Sequence, residues 1–177
     1  LEGETYRRAS IDHASQAIVL STSYDDPRSD SFVASVAFVI EGLNPTTKIV
    51  AECLDPKHVV LFNKSDRVSL VYTLSVAANL LVQEAQDPGV TLLAQAITSN
   101  EVEGTLATTT VDGELGFDSS YKTIASKLLD QDVNLVGVVR DGHVILSFQG
   151  QVCTSGDTLV YIDSSRRDWS QLREMLS

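Results

Sequence analysis

Apolar residues in the first half of the chain form short runs that alternate with amphipathic segments. Continuous apolar runs predict buried strands, whereas apolar positions three and four residues apart predict helices. The alternation predicts strand, helix, strand, helix and strand in residues 17–21, 32–42, 47–53, 55–65 and 66–72. Asp30 or Ser31 is expected to cap the first helix, Gly42 to end it, and Pro56 to begin the second. This order predicts a parallel sheet with right-handed crossovers.

The second half begins with two helical patterns and then changes character. Apolar anchors in residues 75–86 and 90–99 predict two helices that meet at a tight break formed by Pro88 and Gly89. Further on, the sequence predicts a strand, a helix, a hairpin, a strand and a closing helix in residues 104–115, 119–132, 134–148, 155–163 and 167–176. The hairpin signal is strong because its centre is Asp141-Gly142, a pair that suits a two-residue turn. A boundary is therefore expected near residue 100.

Composition narrows the class of protein. Thirteen basic and 24 acidic residues give a net charge of −11, which argues against a nucleic-acid partner because such proteins need a basic surface. The same charge disfavours docking on an anionic bilayer and leaves open a tether to an integral membrane partner. The longest apolar runs have about nine residues, whereas a spanning helix needs about 20.

The sequence contains no recognisable catalytic constellation. Cys53 and Cys153 lie far apart without metal-ligand spacing, which favours two reduced thiols in a cytosolic protein. Cys53 is either a reactive thiol or a small buried hydrophobe. His13, His58 and His143 lie in unrelated segments and are expected to be solvent-exposed. A P-loop, a GxGxxG loop and a GxSxG nucleophile motif are all absent from the sequence.

Acidic residues follow the first two predicted strands. Asp25 and Asp26 come just after the first strand, and Glu52 lies at the end of the second. If these strands are neighbours, the carboxylates face one crevice and could begin a site for calcium, which prefers oxygen ligands. The alternative is structural: Asp26 opens a turn before Pro27, and Glu52 pairs with a nearby base.

Two regions resemble one family. Residues 6–90, from "YRRASIDHASQAIVL" to "LLVQEAQDPGV", resemble the latter part of the Rossmann-like lobe of RCK domains, the regulators of potassium conductance. Residues 135–148 and 155–163, "LVGVVRDGHVILSF" and "SGDTLVYID", resemble the carboxyl-terminal ligand-sensing lobe of that family, in which a Gly-Asp such as Gly156-Asp157 recurs before the last strand.

The resemblance implies an α/β fold in three parts. Residues 1–74 would form the latter part of a Rossmann-like lobe with a partial parallel sheet, residues 75–100 a helix–turn–helix crossover, and residues 101–177 a smaller α+β lobe. Family members carry an earlier strand with a GxGxxG loop, so the chain is expected to be a fragment or a shortened member. Because that loop holds the nucleotide, its absence argues against nucleotide binding. In the family strand order 3-2-1-4-5-6, the strand at residues 17–21 would have an open edge, which a partner copy or a rearranged segment is expected to cover.

The resemblance also implies a site. Asp26 and Glu52 fall on positions whose carboxylates bind calcium in calcium-gated members, while a further glutamate of that pattern is replaced by Leu54. The expected metal ligands are therefore Asp26 and Glu52. The expected ligand-binding residues of the crevice are Ser21, Thr22, Ser23, Glu52 and Cys53.

The function implied is regulatory, not enzymatic. A cytosolic domain at the cytoplasmic side of the cell membrane would gate a potassium channel through ligand-driven rearrangement of an oligomeric ring. Its expected partners are further copies of itself, as a dimer or a gating ring, and a membrane pore or transporter. The apolar residues expected at the oligomer interface are Phe32, Val36, Phe38, Leu80, Leu81, Leu92 and Leu93. The alternatives are a regulatory subunit of a Trk-type potassium transporter, a fragment of a nucleotide-dependent oxidoreductase and a plain dimerisation module.

Overall fold

The computed structural model describes residues 3–62, 66–99, 104–113 and 119–176. The chain forms two compact units, Leu1–Pro88 and Gly89–Ser177.

The first unit contains a parallel sheet of three strands. They are β1 (Gln16–Val19), β2 (Lys48–Glu52) and β3 (Val68–Val71), in the order β1-β2-β3. Val19 pairs with Ala51, and Glu52 pairs with Val71. All three strands therefore end at one edge of the sheet, as the strand–helix alternation predicts.

Helix α2 (Ser29–Leu43) covers one face of this sheet. Its buried Val33, Ala37 and Ile40 are spaced four and three residues apart, so they form one stripe along the helix. The short helix α1 (Gly3–Arg8) precedes the sheet. The buried apolar core of this unit consists of Ile11, Val19, Val33, Ala37, Ile40, Ile49, Ala51, Cys53 and Phe62.

The opposite face of the parallel sheet is apolar and exposed. Ile18 and Leu20 alternate with the core residues of β1 and are 73% and 66% exposed, and Val50 and Val71 are also exposed. Within the described residues, β1 has only β2 as a strand neighbour. Parallel sheets are normally covered on both faces, and this sheet has one uncovered face. The unpaired edge of β1 is a second feature that could pair with another chain.

Three local predictions for this unit were wrong. Neither Asp30 nor Ser31 caps α2, because the helix already begins at Ser29 and has no side-chain cap. Gly42 lies inside α2, which continues to Leu43, because the Asn44 side chain donates hydrogen bonds to the carbonyls of Ile11 and Ala14 and anchors the helix end there. The segment after β2 is a 3₁₀ helix, Pro56–Leu61, instead of a longer α-helix. Its start follows the prediction: the Asp55 carboxylate accepts from the Lys57 N–H, and the proline comes first.

Two helices follow the parallel sheet. Helix α3 (Thr73–Gln86) belongs to the first unit and α4 (Val90–Thr98) to the second. Gly89 between them has φ 107°, a conformation that favours glycine. Neither helix has a buried residue within the described chain.

The second unit is an antiparallel sheet packed against two helices. Its strands are β4 (Thr105–Thr110), β5 (Asn134–Arg140), β6 (His143–Ile145) and β7 (Thr158–Asp163), in the order β4-β7-β5-β6. Its helices are α5 (Tyr121–Leu129) and α6 (Trp169–Leu176). The core includes Tyr121, Ile124, Leu128, Leu159, Tyr161, Trp169, Leu172 and Leu176. The predicted turn at Asp141-Gly142 is present, and both residues have positive φ, 50° and 76°.

Candidate functional site

The carboxylate of Glu52 lies where the three parallel strands end. The backbone N–H of Ser21 donates to its Oε2 at 2.7 Å. Its Oε1 accepts hydrogen bonds from the Tyr24 hydroxyl at 2.9 Å and the Thr73 hydroxyl at 2.7 Å. Glu52 is only 5% exposed. One side chain of β2 therefore holds the loop after β1 and the first residue of α3.

The charge of Glu52 is stabilised by hydrogen-bond donors without a base. Burial alone would raise the pKa of Glu52, but hydrogen bonds from Ser21, Thr73 and Tyr24 outweigh burial and lower it. No salt bridge to Glu52 occurs within the described chain. The expected base partner is replaced by one N–H and two hydroxyl groups.

Asp26 is engaged in its own loop. Its Oδ1 accepts from the backbone N–H of Arg28 at 2.9 Å and from the Arg28 Nε at 3.0 Å, and its Oδ2 accepts from Nη2 at 3.0 Å. These hydrogen bonds lower the pKa of Asp26. Asp26 therefore closes a turn around Pro27, which is the structural alternative that the sequence left open.

The arrangement does not fit a calcium site formed by Asp26 and Glu52. Calcium takes six to eight oxygen ligands, whereas these two carboxylates already accept hydrogen bonds from Arg28, Ser21, Tyr24 and Thr73. In the part of the chain that the structure describes, no three His, Cys, Asp or Glu residues form a group that could hold a metal ion.

Beside Glu52, a second carboxylate forms a contact that the sequence did not predict. Asp30, in the first turn of α2, is 3% exposed and accepts from the N–H groups of Leu54 and Asp55 at 2.8 and 3.0 Å. Its Oδ2 lies 2.7 Å from Nδ1 of His58. Burial would raise the pKa of Asp30, but these hydrogen bonds lower it. The expectation of a simply solvent-exposed His58 is therefore wrong: its side chain is 40% exposed and pairs with Asp30.

A cavity of about 340 Å³ opens beside these groups. It lies between the loop after β1 and the loop after β2, and Leu74 of α3 closes one side. Its lining contains Tyr24, Asp25, Asp26, Pro27, Asp30, Leu54, Asp55, His58 and Leu74. Of the residues that the sequence placed at a crevice, Asp25 and Asp26 line this cavity, whereas Ser21, Thr22, Ser23, Glu52 and Cys53 are not among its lining residues. Sequence reasoning did not predict the roles of the Tyr24, Asp30, His58 and Thr73 side chains, because long-range side-chain hydrogen bonds leave no periodic signal.

The other residues expected in the crevice have different environments. Ser21 contributes its backbone N–H, Ser23 is half-buried and Thr22 is exposed. Cys53 is fully buried in the core, with its thiol directed to the carbonyl of Asp55, and burial raises its pKa to about 11. Its environment is that of a buried hydrophobe, because thiolate formation is disfavoured there.

The residues expected at an oligomer interface are mostly exposed. The Phe38 and Leu81 side chains are 75% and 73% exposed, and those of Leu92 and Leu93 are 70% and 61% exposed. Phe32 is 45% exposed, whereas Leu80 is half-buried and Val36 packs partly against the core of its own unit. A groove of about 600 Å³ passes along the outer side of α2 and is lined in part by Phe38, Val60 and Leu61.

The second unit contains a buried ion pair that sequence reasoning missed. Asp157 is 1% exposed and accepts from Arg140 Nε at 2.7 Å and Nη2 at 2.8 Å. It also accepts from the Tyr121 hydroxyl and from the Thr154 N–H. Burial would raise the pKa of Asp157, but the hydrogen bonds from Arg140, Tyr121 and Thr154 lower it. The Gly-Asp pair before the last strand was the available signal.

Comparison with known proteins places the fold. No family model and no curated protein sequence matches the chain. Among solved structures, the human SLO3 gating ring matches 93% of this chain and 35% of that chain, with 14% identity and a TM-score of 0.63. The GsuK RCK domain matches 93% of this chain and 33% of that chain, with 23% identity and a TM-score of 0.40. The GsuK channel bound to NAD matches 99% of this chain and 29% of that chain, with 19% identity and a TM-score of 0.39.

The fold is that of an RCK domain, in agreement with the sequence resemblance. The fold assignment rests on the SLO3 gating ring, and the chain spans about a third of the length of the structures that it matches. The predicted fold class is confirmed: the structure combines a parallel three-stranded sheet, an antiparallel sheet and helices. None of the helices that the structure describes is long and apolar enough to cross a membrane.

Proposed function

We propose that this chain is a regulatory module that controls potassium transport through a membrane pore at its cytoplasmic side. The observation that carries the proposal is the match of 93% of the chain to a gating ring. Fold alone does not define function, so the crevice at the strand ends provides the second argument. In open parallel sheets, ligands bind outside the carboxyl ends of the strands.

The proposed ligand is a small polar molecule that binds at the ends of β1 and β2. Ser21, Thr22 and Ser23 offer backbone groups and hydroxyls there, and Glu52 offers a carboxylate. Hydroxyl groups of a ligand are suitable partners, because Glu52 already accepts from two hydroxyls. Calcium is not proposed, since Asp26 and Glu52 do not form a suitable set of ligands.

Glu52 provides a route from this crevice to α3. A ligand that took over one hydrogen bond of Glu52 would compete with Tyr24 or Thr73 for Oε1. Release of Thr73 would loosen the start of α3, which leads toward α4 and the second unit. Regulation requires that the ligand prefer one of the two states, and about 1–3 kcal/mol is sufficient.

The proposed assembly is a homo-oligomer that uses the exposed apolar side chains of α3 and α4. Leu81, Leu92 and Leu93 are each more than half exposed, and burial against another copy would remove apolar surface from water. A channel pore is the proposed membrane partner, and a Trk-type transporter is the alternative within the same regulatory class.

The test is potassium flux through the natural full-length protein that contains this chain, reconstituted with its pore in liposomes. Rubidium uptake is measured with and without NAD, ATP and calcium. We expect one organic ligand to change flux by about fivefold or more. The Glu52→Gln variant is expected to lose most of that response, and Asp87→Asn, a change at an exposed carboxylate outside the crevice, to retain it.

Three other results would contradict the proposal. A response to calcium that Glu52→Gln retains would move the regulatory site away from this crevice. Flux that ignores every ligand and every variant would leave the regulatory role without support. Steady turnover of a nicotinamide cofactor by the purified protein would instead favour the oxidoreductase alternative.

A further inference from the structure

A second cavity lies in the second unit, and none of its lining residues belongs to the strand-end crevice. Its volume is about 610 Å³, which is within the range of small-molecule sites. One wall is the start of α5, with Ser120, Lys122 and Ala125, and the other is the turn formed by residues 148–152. The exposed lining is mainly apolar and includes Ala125, Phe148 and Val152.

Buried side chains hold these walls in place. Arg140, which pairs with buried Asp157, also donates to the carbonyl of Val152 at 2.7 Å. Tyr121 donates to Asp157, and its ring packs against that of Phe148 with 5.7 Å between ring centroids. The ion pair therefore supports both a lining carbonyl and, through Tyr121, a lining aromatic ring. Such support is expected of a pre-formed binding site.

The charge of the cavity is opposite to that of the protein. Lys122 is the only charged residue that the described chain contributes to the lining, whereas the whole chain has a net charge of −11. Lys122 is exposed, and no salt bridge or hydrogen bond within the described residues involves its ammonium group. An anion in this cavity could form a charge-assisted hydrogen bond with the Lys122 ammonium. Basic residues are fewer than acidic ones in the whole chain, 13 against 24.

We propose that this cavity binds a small organic anion with an apolar body. The apolar body packs between Phe148, Val152 and Ala125, and the acidic group pairs with the Lys122 ammonium. The volume of the cavity fits a molecule of about drug size. Binding in this cavity does not depend on the proposed function, although a regulatory effect of the bound molecule would rest on it.

The experiment is a titration of the whole 177-residue chain followed by amide proton–nitrogen NMR. The probe is 2-naphthoate, and its neutral analogue 2-naphthamide is the comparison ligand. We expect naphthoate to shift amides within residues 120–125 and 148–152, with a Kd on the order of 1 mM for so small a ligand. Lys122→Gln should weaken naphthoate binding by about threefold to tenfold and leave naphthamide binding unchanged.

Two further variants make the test specific. Arg166→Gln removes an exposed charge of the same unit outside the cavity and should leave both affinities unchanged. Ala125→Met fills the cavity from its wall and should remove binding of both ligands, while the unshifted spectrum of the core shows that the variant is folded.

The proposal is overturned if naphthoate shifts the amides around Ile18 and Leu20 instead of those of the cavity. Equal affinity for naphthoate and naphthamide, or unchanged naphthoate binding by Lys122→Gln, would also overturn it. Amide shifts of residues 120–125 that depend on protein concentration in the absence of any probe would show that a second copy covers the cavity, and this result would overturn the proposal as well.

Discussion

At the scale of single residues, Glu52 and Asp157 show two ways of burying a carboxylate. Glu52 has neutral donors only, whereas Asp157 has the Arg140 guanidinium as well. Removing one partner of a buried ion pair leaves the other charge uncompensated, which costs more than the pair contributes. The two sites are therefore expected to respond differently to substitution.

Asp157→Ala is expected to lower the free energy of unfolding of the second unit by about 3–5 kcal/mol at pH 7. The reason is that the Arg140 guanidinium would keep its charge in a partly buried position without a carboxylate partner, although it could still donate to the Val152 carbonyl. The measurement is urea denaturation followed by fluorescence of Trp169, the only tryptophan, which is buried in the core of that unit. Asp130→Asn, at an exposed carboxylate after α5, is the control and should change stability by less than about 0.5 kcal/mol.

The same pair predicts a pH dependence. Because the folded-state pKa of Asp157 is lowered, its stabilising contribution is complete above the usual aspartate pKa of about 4 and is lost as the pH falls through the folded value. The difference in stability between wild type and Asp157→Ala should therefore shrink as the pH is lowered from 5 to 3. A difference that stays constant over this range would mean that the carboxylate charge does not stabilise the fold.

Sequence reasoning singled out the Glu52 carboxylate from its place at the end of an apolar run but did not predict its partners. It missed the ion pair of Asp157, although the Gly156-Asp157 pair was noted as a family feature. The partners Tyr24, Thr73 and Tyr121 lie 21 to 36 residues away along the chain. Contacts over such separations depend on tertiary packing, which a local pattern does not encode.

At the scale of elements, the start of α3 is held by one hydroxyl. Thr73 is the first residue of α3, and its hydroxyl donates to Glu52 at 2.7 Å. The helix has no buried residue within the described chain, so little core packing supports it. A hydrogen bond to a charged group contributes about 1.5–3 kcal/mol, which is large for so weakly packed a helix.

Thr73→Val is expected to speed hydrogen exchange of the amides in residues 76–80 by about tenfold or more, because the helix start would open more often. Exchange followed by mass spectrometry or NMR measures this. Thr98→Val is the matched control, since the Thr98 hydroxyl bonds to a carbonyl of its own helix. Unchanged exchange in α3 would show that Glu52 does not hold the helix, and the proposed route from the crevice would lose its first step.

Elements were predicted more reliably than their ends. The Asp141-Gly142 turn encodes its own geometry, because both positions need positive φ. The end of α2 depends instead on Asn44, whose side chain reaches carbonyls about 30 residues earlier in the chain. Local glycine preference at Gly42 is weaker than that tertiary anchor.

At the scale of the whole molecule, two sets of exposed apolar side chains are candidates for the proposed self-association. One set comprises Leu81 of α3 together with Leu92 and Leu93 of α4, and the other is the bare sheet face with Ile18 and Leu20. Sequence reasoning singled out these helix leucines for an interface and expected the open edge of β1 from the family strand order. Neither set identifies its occupant by itself, so the choice requires a matched pair of substitutions.

We expect Leu81→Glu together with Leu92→Glu to convert an oligomer of this chain to monomer, because the charges would be desolvated in the proposed interface. Sedimentation velocity over a hundredfold range of protein concentration measures the change. Leu20→Lys is the matched control, since it removes a leucine of similar exposure from the bare sheet face. Dissociation by Leu20→Lys alone would assign the interface to the sheet face and contradict the proposed use of α3 and α4.

The central position of β7 has a consequence for synthesis of the protein. The parallel strands β1, β2 and β3 become neighbours in the order in which a ribosome makes them, so the first unit can assemble while translation continues. In the second unit, β7 is the one strand that pairs with β4 among the described residues. Strand β7 ends at Asp163, close to the end of the described chain. While residues 111–163 are being made, the threonine-rich β4 therefore has open pairing edges. A ribosome that stalled in this interval would release a chain whose unpaired β4 is prone to aggregate.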